Sequence, residues 1–391
     1  MTPLKRRIFF LTGARSDYDL MAPVIQELRQ SYADTVEAAV IASAAQISPF
    51  HGLGIRQIRE DNVPIVACVE SLLAADSWSA RALSFAQLTE GLTRALEPNR
   101  PDVLFVAGDR EEALAGAIVA NFLRIPVAHL HGGDRTFAAD IDEVLRPAIS
   151  KLAHLHFPAS EGHRERLIKM GEDPNYIWAC GAPGIDRLRT TPDVGDEVLR
   201  AEFGIDPKTP FFLVIQHSSP MVSAGDEERE MAAVLDGVLS LGHPVLCSYP
   251  NSDPGNVGVR QGIDRARARH PGLHVYHNLS RDRFVSIYRR CAAIVGNSSS
   301  LVSESAFLRK PAILIGPRQD LRDRGENVVR VDFVESEIAA ACRRALEDKE
   351  YLAVVEKAVS PYGDGHAAPR IAKILAAIEL KPELLLKTIT Y

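Results

Sequence analysis

Two short apolar runs end in the same tripeptide. Val103–Ala107 is followed by Gly108-Asp109-Arg110-Glu111-Glu112, and Ile125–His131 by Gly132-Gly133-Asp134-Arg135-Thr136. A carboxylate beside a guanidinium can move a proton while the cation holds a neighbouring anion. A third acidic stretch follows, Asp140-Ile141-Asp142-Glu143, with Arg146 four residues after Asp142 and therefore on the same helix face. There an exposed ion pair is the plain alternative. Asp109 to Glu112 and Asp140 to Glu143 also have the D-x-x-E spacing of a helix capping box. Capping would account for one residue of each pair. It does not account for the arginines, or for His129 and His131 beside the second tripeptide.

A second set of residues suits a diphosphate. Gly296-Asn297-Ser298-Ser299-Ser300 follows the run Ala292–Val295 and precedes a helical stretch with Glu304 about one turn in. Small residues admit a close ligand, and hydroxyls with free N–H groups at a helix start bind phosphate. Glu304 is then placed to accept hydrogen bonds from a ribose diol. A serine-rich N-cap is the structural alternative. His217, in Ile215-Gln-His-Ser-Ser219, and Arg318-Gln319 end two other runs, while Thr12-Gly13-Ala14-Arg15 forms the first β-to-α turn. A GxGxxG fingerprint does not occur. The remaining histidines have no metal-ligand spacing, and without the fingerprint an NAD reading has little support.

These tips must be carried by strands that alternate with amphipathic helices, the pattern of a buried parallel sheet. Strands are predicted at Arg6–Leu11, Val36–Ile41, Pro64–Val69, Val103–Ala107, Pro126–His131, His154–Phe157 and Tyr176–Cys180. After a break the pattern restarts at Phe211–Gln216, Pro244–Ser248, Leu273–Tyr276, Ala292–Val295, Pro311–Ile315 and Val328–Val331. Helices include Leu20–Gln30 and Glu111–Arg124. The fold class is thus α/β, two Rossmann-like domains with parallel sheets facing across a cleft. The expected divisions are 1–186, carrying the acid/base residues; a linker at 187–210; a nucleotide-binding domain at 211–366; and a helix within 367–391 that returns to the first domain.

The chain has 391 residues, 25% of them charged, and a net charge of −6. Such a length favours two domains, and the acidic balance argues against nucleic-acid binding. Five scattered cysteines without CxxC spacing read as reduced core residues of a cytoplasmic protein. No apolar run reaches the length that spans a bilayer, so no membrane association is expected.

Taken in order, the motifs resemble the UDP-N-acetylglucosamine 2-epimerases, most closely the hydrolysing branch that serves sialic-acid-type sugar synthesis. The matching pieces are Thr12-Gly-Ala-Arg15, Gly108-Asp-Arg-x-Glu112, His129-x-His-Gly-Gly-Asp134-Arg-Thr136 and Ile141-Asp-Glu-x-x-Arg146. They continue through Ala148–Phe157, Gly181-Ala-Pro-Gly184, Gly296-Asn-Ser-Ser-Ser300 and Arg318-Gln319. The resemblance implies a GT-B fold and a UDP-linked amino sugar as substrate, with GDP-linked sugars as the alternative. It implies C2 deprotonation, loss of UDP to a 2-acetamidoglucal, and hydration with inversion. Catalytic carboxylate roles fall on Asp109 and Asp142, with His131, Asp134 and Glu112 as further candidates. Nucleotide contacts fall on Arg15, His217, Ser298, Ser299, Ser300 and Glu304, and substrate contacts on Arg110, Glu143, Arg146, Arg318 and Gln319. A homo-oligomer, a homodimer by resemblance, is implied, and no metal or organic cofactor.

Three positions depart from the family pattern. His131 stands where many relatives carry glutamate, which leaves one acid/base open between His131 and Asp134. Pro147 follows Arg146 where hydrolysing relatives have histidine; it cannot transfer a proton and should break a helix outside the first turn. Leu301 replaces the glycine after the serines and is expected to tighten the diphosphate pocket. The rival readings are a non-hydrolysing 2-epimerase, a GT-B glycosyltransferase and a non-catalytic nucleotide-sugar sensor.

Overall fold

The computed structural model describes residues 5–73, 77–136, 141–219, 225–250, 255–277, 279–388 and 390, with the side chain of Asp142 left outside the description. The chain forms two compact units, one built from Met1–Asp134, Asp140–Arg187 and Gly363–Tyr391, the other on Leu188–Tyr362.

In the first unit six parallel strands form a sheet: β1 (Arg6–Thr12), β2 (Val36–Ser43), β3 (Ile65–Val69), β4 (Val103–Ala107), β5 (Val127–Leu130) and β6 (Leu155–Phe157). Their order is β3-β2-β1-β4-β5-β6. The apolar runs that mark these strands bury both faces: every residue of β4 and β5 is buried. Phe10, Phe105, Phe157 and Trp178 form an aromatic row across the sheet, with successive ring centroids 4.8, 5.9 and 5.7 Å apart. The helix Ala367–Ala377 belongs to this unit. Its first turn is capped by Asp186, whose carboxylate accepts from the N–H groups of Ala367 and Ala368 at 2.9 and 2.7 Å. Ile371 and Leu375 of that helix are fully buried in the first unit's core.

The second unit repeats the plan with β7 (Phe212–Ile215), β8 (Val245–Ser248), β9 (Leu273–Tyr276), β10 (Ala293–Gly296), β11 (Ala312–Ile315) and β12 (Val328–Val331). The order β12-β11-β10-β7-β8-β9 is the same doubly wound topology. Strand order therefore reverses between β1 and β4 in one sheet and between β7 and β10 in the other. Ligands of such sheets bind beyond the strands' carboxyl ends at these reversal points.

Several expectations change. Tyr176–Cys180 is not a strand: a 3₁₀ turn over Pro174–Tyr176, capped by Asp173, leaves only Ile177 bridged to His156. The first helix begins at Arg15, five residues before Leu20, because Asp17 reaches back to the turn. The 187–210 stretch is not without rhythm. It contains the helix Asp196–Phe203, which buries Leu199. Pro147 lies inside the helix Asp142–Leu152 and does not end it. A proline there costs one N–H bond to the carbonyl of Glu143, and the helix continues through the bonds on either side. Four of the cysteines are buried, whereas Cys68 on β3 is exposed, and all five are free thiols.

Candidate active site

The tip of β4 is shaped by Gly108, whose φ of +75° suits glycine and turns the chain toward Asp109. The helix Glu111–Phe122 then starts with Arg110 as its N-cap, so Asp109 is not the cap that its spacing allows. Its carboxylate pairs instead with the guanidinium of Arg146. Arg146 is 2% exposed and comes from the second turn of the helix Asp142–Leu152. The same guanidinium binds the carboxylate of Glu143 and donates to the carbonyl oxygen of Asp134 at 2.9 Å. Asp109, Asp134, Glu143 and Arg146 are thus brought together. The Asp109 side chain keeps 28% exposure. It is held by a buried cation and still reachable.

Asp134 lies 3.2 Å from Nε2 of the fully buried His163. His131 sits at the end of β5 with φ +66°, in the left-handed region, and its N–H donates to the carbonyl of Phe157 at 3.1 Å. The side chain of Asp142 and all of Asp140 lie outside the described residues, and with them the second capping box.

Glu112 and Arg110 form a separate group. Arg110 donates to both carboxylate oxygens of Glu112 at 3.0 and 3.3 Å, and its Nε lies 4.0 Å from Asp17. Glu112 is only 3% exposed. A Cβ on Gly13 would fall 2.3 Å from Cγ of Glu112, so the β1 turn and the β4 turn meet only because residue 13 is glycine. Burial pushes the carboxyl of Asp17 up to about 7, against the pull of Arg110 and of the N–H groups of Gly13 and Ala14, and with a push from Glu112. Asp17 carried no role in the sequence reading. Its one signal was its place three residues after Ala14 at a helix start. Arg15 is largely exposed and lies 4.0 Å from Asp19.

In the second unit the turns after β7 and β10 are joined through Asn297. Its Oδ1 accepts the N–H of His217 at 2.7 Å, and its Nδ2 donates to the carbonyl of His217 at 2.8 Å. Gly296 permits this approach: with φ +130°, a Cβ there would lie 2.2 Å from the carbonyl oxygen of Ile215. Ser298 and Ser300 touch through their hydroxyls at 3.1 Å. Ser299 is the N-cap residue of the short helix Ser300–Ser303. Arg318 and Gln319 both donate to the carbonyl oxygen of Asn297, at 3.4 and 3.0 Å, which ties the β11 turn to the same loop. Glu304 is half-buried beside Arg281, 3.4 Å away; loss of solvent raises its carboxyl above the ordinary range and Arg281 opposes that.

Leu301 is fully buried among Phe211, Leu213, Ile215 and Ile294. It fills the core under the loop, so its side chain is not on the exposed face where tightening of a diphosphate pocket, the expectation from sequence, would need it. Four buried polar atoms on these turns have no partner among the described residues: Gln216 Oε1, Ser218 Oγ, Glu304 Oε2 and Gln319 Oε1. Buried polar atoms are seldom left so, and these mark where a polar ligand would fit. Among the described residues, no group of histidine, cysteine and acidic side chains could hold a metal ion. No described helix is long and apolar enough to cross a membrane.

The profile of the UDP-N-acetylglucosamine 2-epimerase family matches residues 28–376. The chain belongs to that family. Among curated proteins, the UDP-N,N'-diacetylbacillosamine 2-epimerase (hydrolyzing) of Legionella pneumophila is 33% identical over 99% of this chain and 100% of its own length. The GDP/UDP-N,N'-diacetylbacillosamine 2-epimerase (hydrolyzing) of Campylobacter jejuni is 26% identical over 89% of each chain. The solved UDP-GlcNAc 2-epimerase of Neisseria meningitidis bound to UDP-GlcNAc superposes with a TM-score of 0.76 at 20% identity, covering 95% and 99% of the two chains. That likeness agrees with the GT-B class of this epimerase.

Asn297, Arg281, Asp17, Gln216 and Ser218 are among the polar residues of these two turn clusters to which the sequence assigned no role. Asn297 stood in plain view between Gly296 and Ser298, where an amide reads as ordinary loop chemistry.

Proposed function

We propose that the protein is a hydrolysing 2-epimerase acting on a UDP-linked 2-acetamido sugar. The observation that carries this reading is Asp109, at the tip of β4, gripped by the buried Arg146 while its carboxylate stays partly exposed. The names of the Legionella and Campylobacter relatives favour the hydrolysing branch and an N,N'-diacetylbacillosamine or related sugar.

In this scheme Asp109 takes the proton from C2 of the sugar. The electron pair left at C2 becomes the C1–C2 double bond as the bond from C1 to the diphosphate oxygen breaks, which releases UDP and a 2-acetamidoglucal. Water then adds its hydroxyl to C1 and a proton returns to C2 from the opposite face. His131, Asp134 or Asp142 supplies that second proton. Arg146, Glu143 and Arg110 orient the acidic residues and the sugar. Ser298, Ser299, Ser300, His217, Arg15 and Arg318 receive the diphosphate, and Glu304 with Gln319 the rest of the nucleotide. Preorganised donors at a leaving diphosphate lower the barrier because they need no rearrangement when charge develops; each is typically worth about 2.7–4 kcal/mol.

The test is to incubate the purified protein with UDP-linked N,N'-diacetylbacillosamine, UDP-GlcNAc and their GDP-linked counterparts, with no acceptor. Release of free nucleoside diphosphate together with a free 2-epimeric sugar supports the reading. Return of intact, 2-epimerised nucleotide sugar replaces it with a non-hydrolysing epimerase. Turnover that requires an acceptor replaces it with a glycosyltransferase.

A further inference from the structure

We propose that His129 is a positioning residue for the carboxylate of Asp109, acting through the main chain of Gly108; this rests on the reaction proposed above. His129 lies on β5 and is completely buried. Its Nε2 is 2.8 Å from the carbonyl oxygen of Gly108, and its Nδ1 is 3.1 Å from Oγ of Ser150. A carbonyl can only accept, so Nε2 carries the proton and, in the neutral ring, Nδ1 accepts from the Ser150 hydroxyl. Burial keeps the ring neutral by lowering its pKa to about 3, against the pull of the Gly108 carbonyl. The charged or titratable groups facing it are His156 on β6, Arg146 on the helix Asp142–Leu152 and His131 just past the end of its own strand, and all three also disfavour protonation.

These bonds close a ring. Ser150 and Arg146 are four residues apart on one helix face. Arg146 holds the side chain of Asp109, and Ser150, through His129, holds the carbonyl of the residue before it. Gly108 is fixed on its other side as well, since its N–H donates to the carbonyl of Leu130 at 3.0 Å. The chain makes room for this arrangement at Gly132, where a Cβ would lie 2.8 Å from Oγ of Ser150 and 3.0 Å from Nδ1 of His129. A histidine that merely satisfied the core would not need both nitrogens on the two elements that meet at Asp109. With one attachment lost, the carboxylate keeps its ion pair but its backbone can swing, and misplacement on the scale of 1 Å is enough to slow a positioned proton transfer.

The experiment compares His129→Gln, His129→Leu and Ser150→Ala in the full-length protein. Glutamine can place an amide N–H where Nε2–H stands, and leucine fills the space without a donor. His129→Leu should lower kcat on the order of 10- to 100-fold with KM for the nucleotide sugar and affinity for UDP unchanged, His129→Gln should recover most of that loss, and Ser150→Ala should fall between. Wild-type kcat in His129→Leu, or kcat and KM moving together with the folded fraction in all three, overturns the proposal. If His129→Leu does not fold, Ser150→Ala alone decides by the same split of kcat from KM. If the native protein turns over no nucleotide sugar, the reaction proposed above fails on its own. The positioning claim is then read from crystal structures: a main chain at Gly108–Asp109 and a carboxylate unmoved in His129→Leu overturn it, and their displacement sustains it.

Discussion

Asn297 and His217 exchange two hydrogen bonds, side-chain amide against main-chain amide, just beyond the carboxyl ends of β10 and β7. The side chain continues the ladder of the two parallel strands by one step. It thereby fixes the turn that carries His217 against the turn that carries Ser298–Ser300. Asn297→Ala removes two hydrogen bonds from the main chain of the half-buried His217, whose carbonyl keeps the Gln216 amide at 3.3 Å. It should cost about 1–3 kcal/mol of stability and weaken UDP binding, both measurable by thermal unfolding and calorimetric titration.

Asp109→Asn retains the shape and loses the proton acceptor. Turnover should fall by orders of magnitude, roughly in the 10²–10⁴ range expected for a general base. UDP affinity should hardly change, since the nucleotide contacts proposed here sit on other strand tips. Single-turnover kinetics beside a UDP titration separates the two effects.

Leu301→Ala removes a side chain that is fully buried beneath the serine loop. The expected loss is about 2–5 kcal/mol of stability, as for other core leucines. A pocket-tightening role would give the opposite result, little loss of stability and an altered fit for the diphosphate.

The carboxyl of Asp17 sits at about 7 in the folded chain against an ordinary 3.8. The folded state therefore keeps a proton that the unfolded chain gives up, and this group makes the protein less stable as pH rises between those values. Asp17→Asn has no such penalty. Its stability relative to the native protein should climb from about pH 4 to about pH 7, no more steeply than about 1.4 kcal/mol per pH unit, and level off above. Denaturant unfolding across that range checks the sign.

The two sheets were legible because buried parallel strands are short apolar runs between longer amphipathic ones. Twelve of the predicted strands correspond to β1–β12. The exception, Tyr176–Cys180, has the composition of a strand but is cut off by the turn at Pro174 and the left-handed Gly181. Candidate site residues were visible where they end strands, as Asp109 and His217 do. Spacing misled where side-chain direction decides. The D-x-x-E pattern at 109–112 suggested a cap, but the helix starts one residue later and the Asp109 carboxylate turns to Arg146. Leu301 follows the serines in sequence yet points into the core. The partners of His129 lie 21 residues away on either side in the chain, and only the packing of β4, β5 and a helix brings them together.

The central claim is abstraction of the C2 proton coupled to departure of UDP. The most direct measurement is to run the reaction in D2O and follow the released sugar by NMR and mass spectrometry. One deuterium at C2 of the inverted product, formed in step with UDP by the native protein and lost in Asp109→Asn, is the expected result. UDP release with the original hydrogen still on C2 would contradict it.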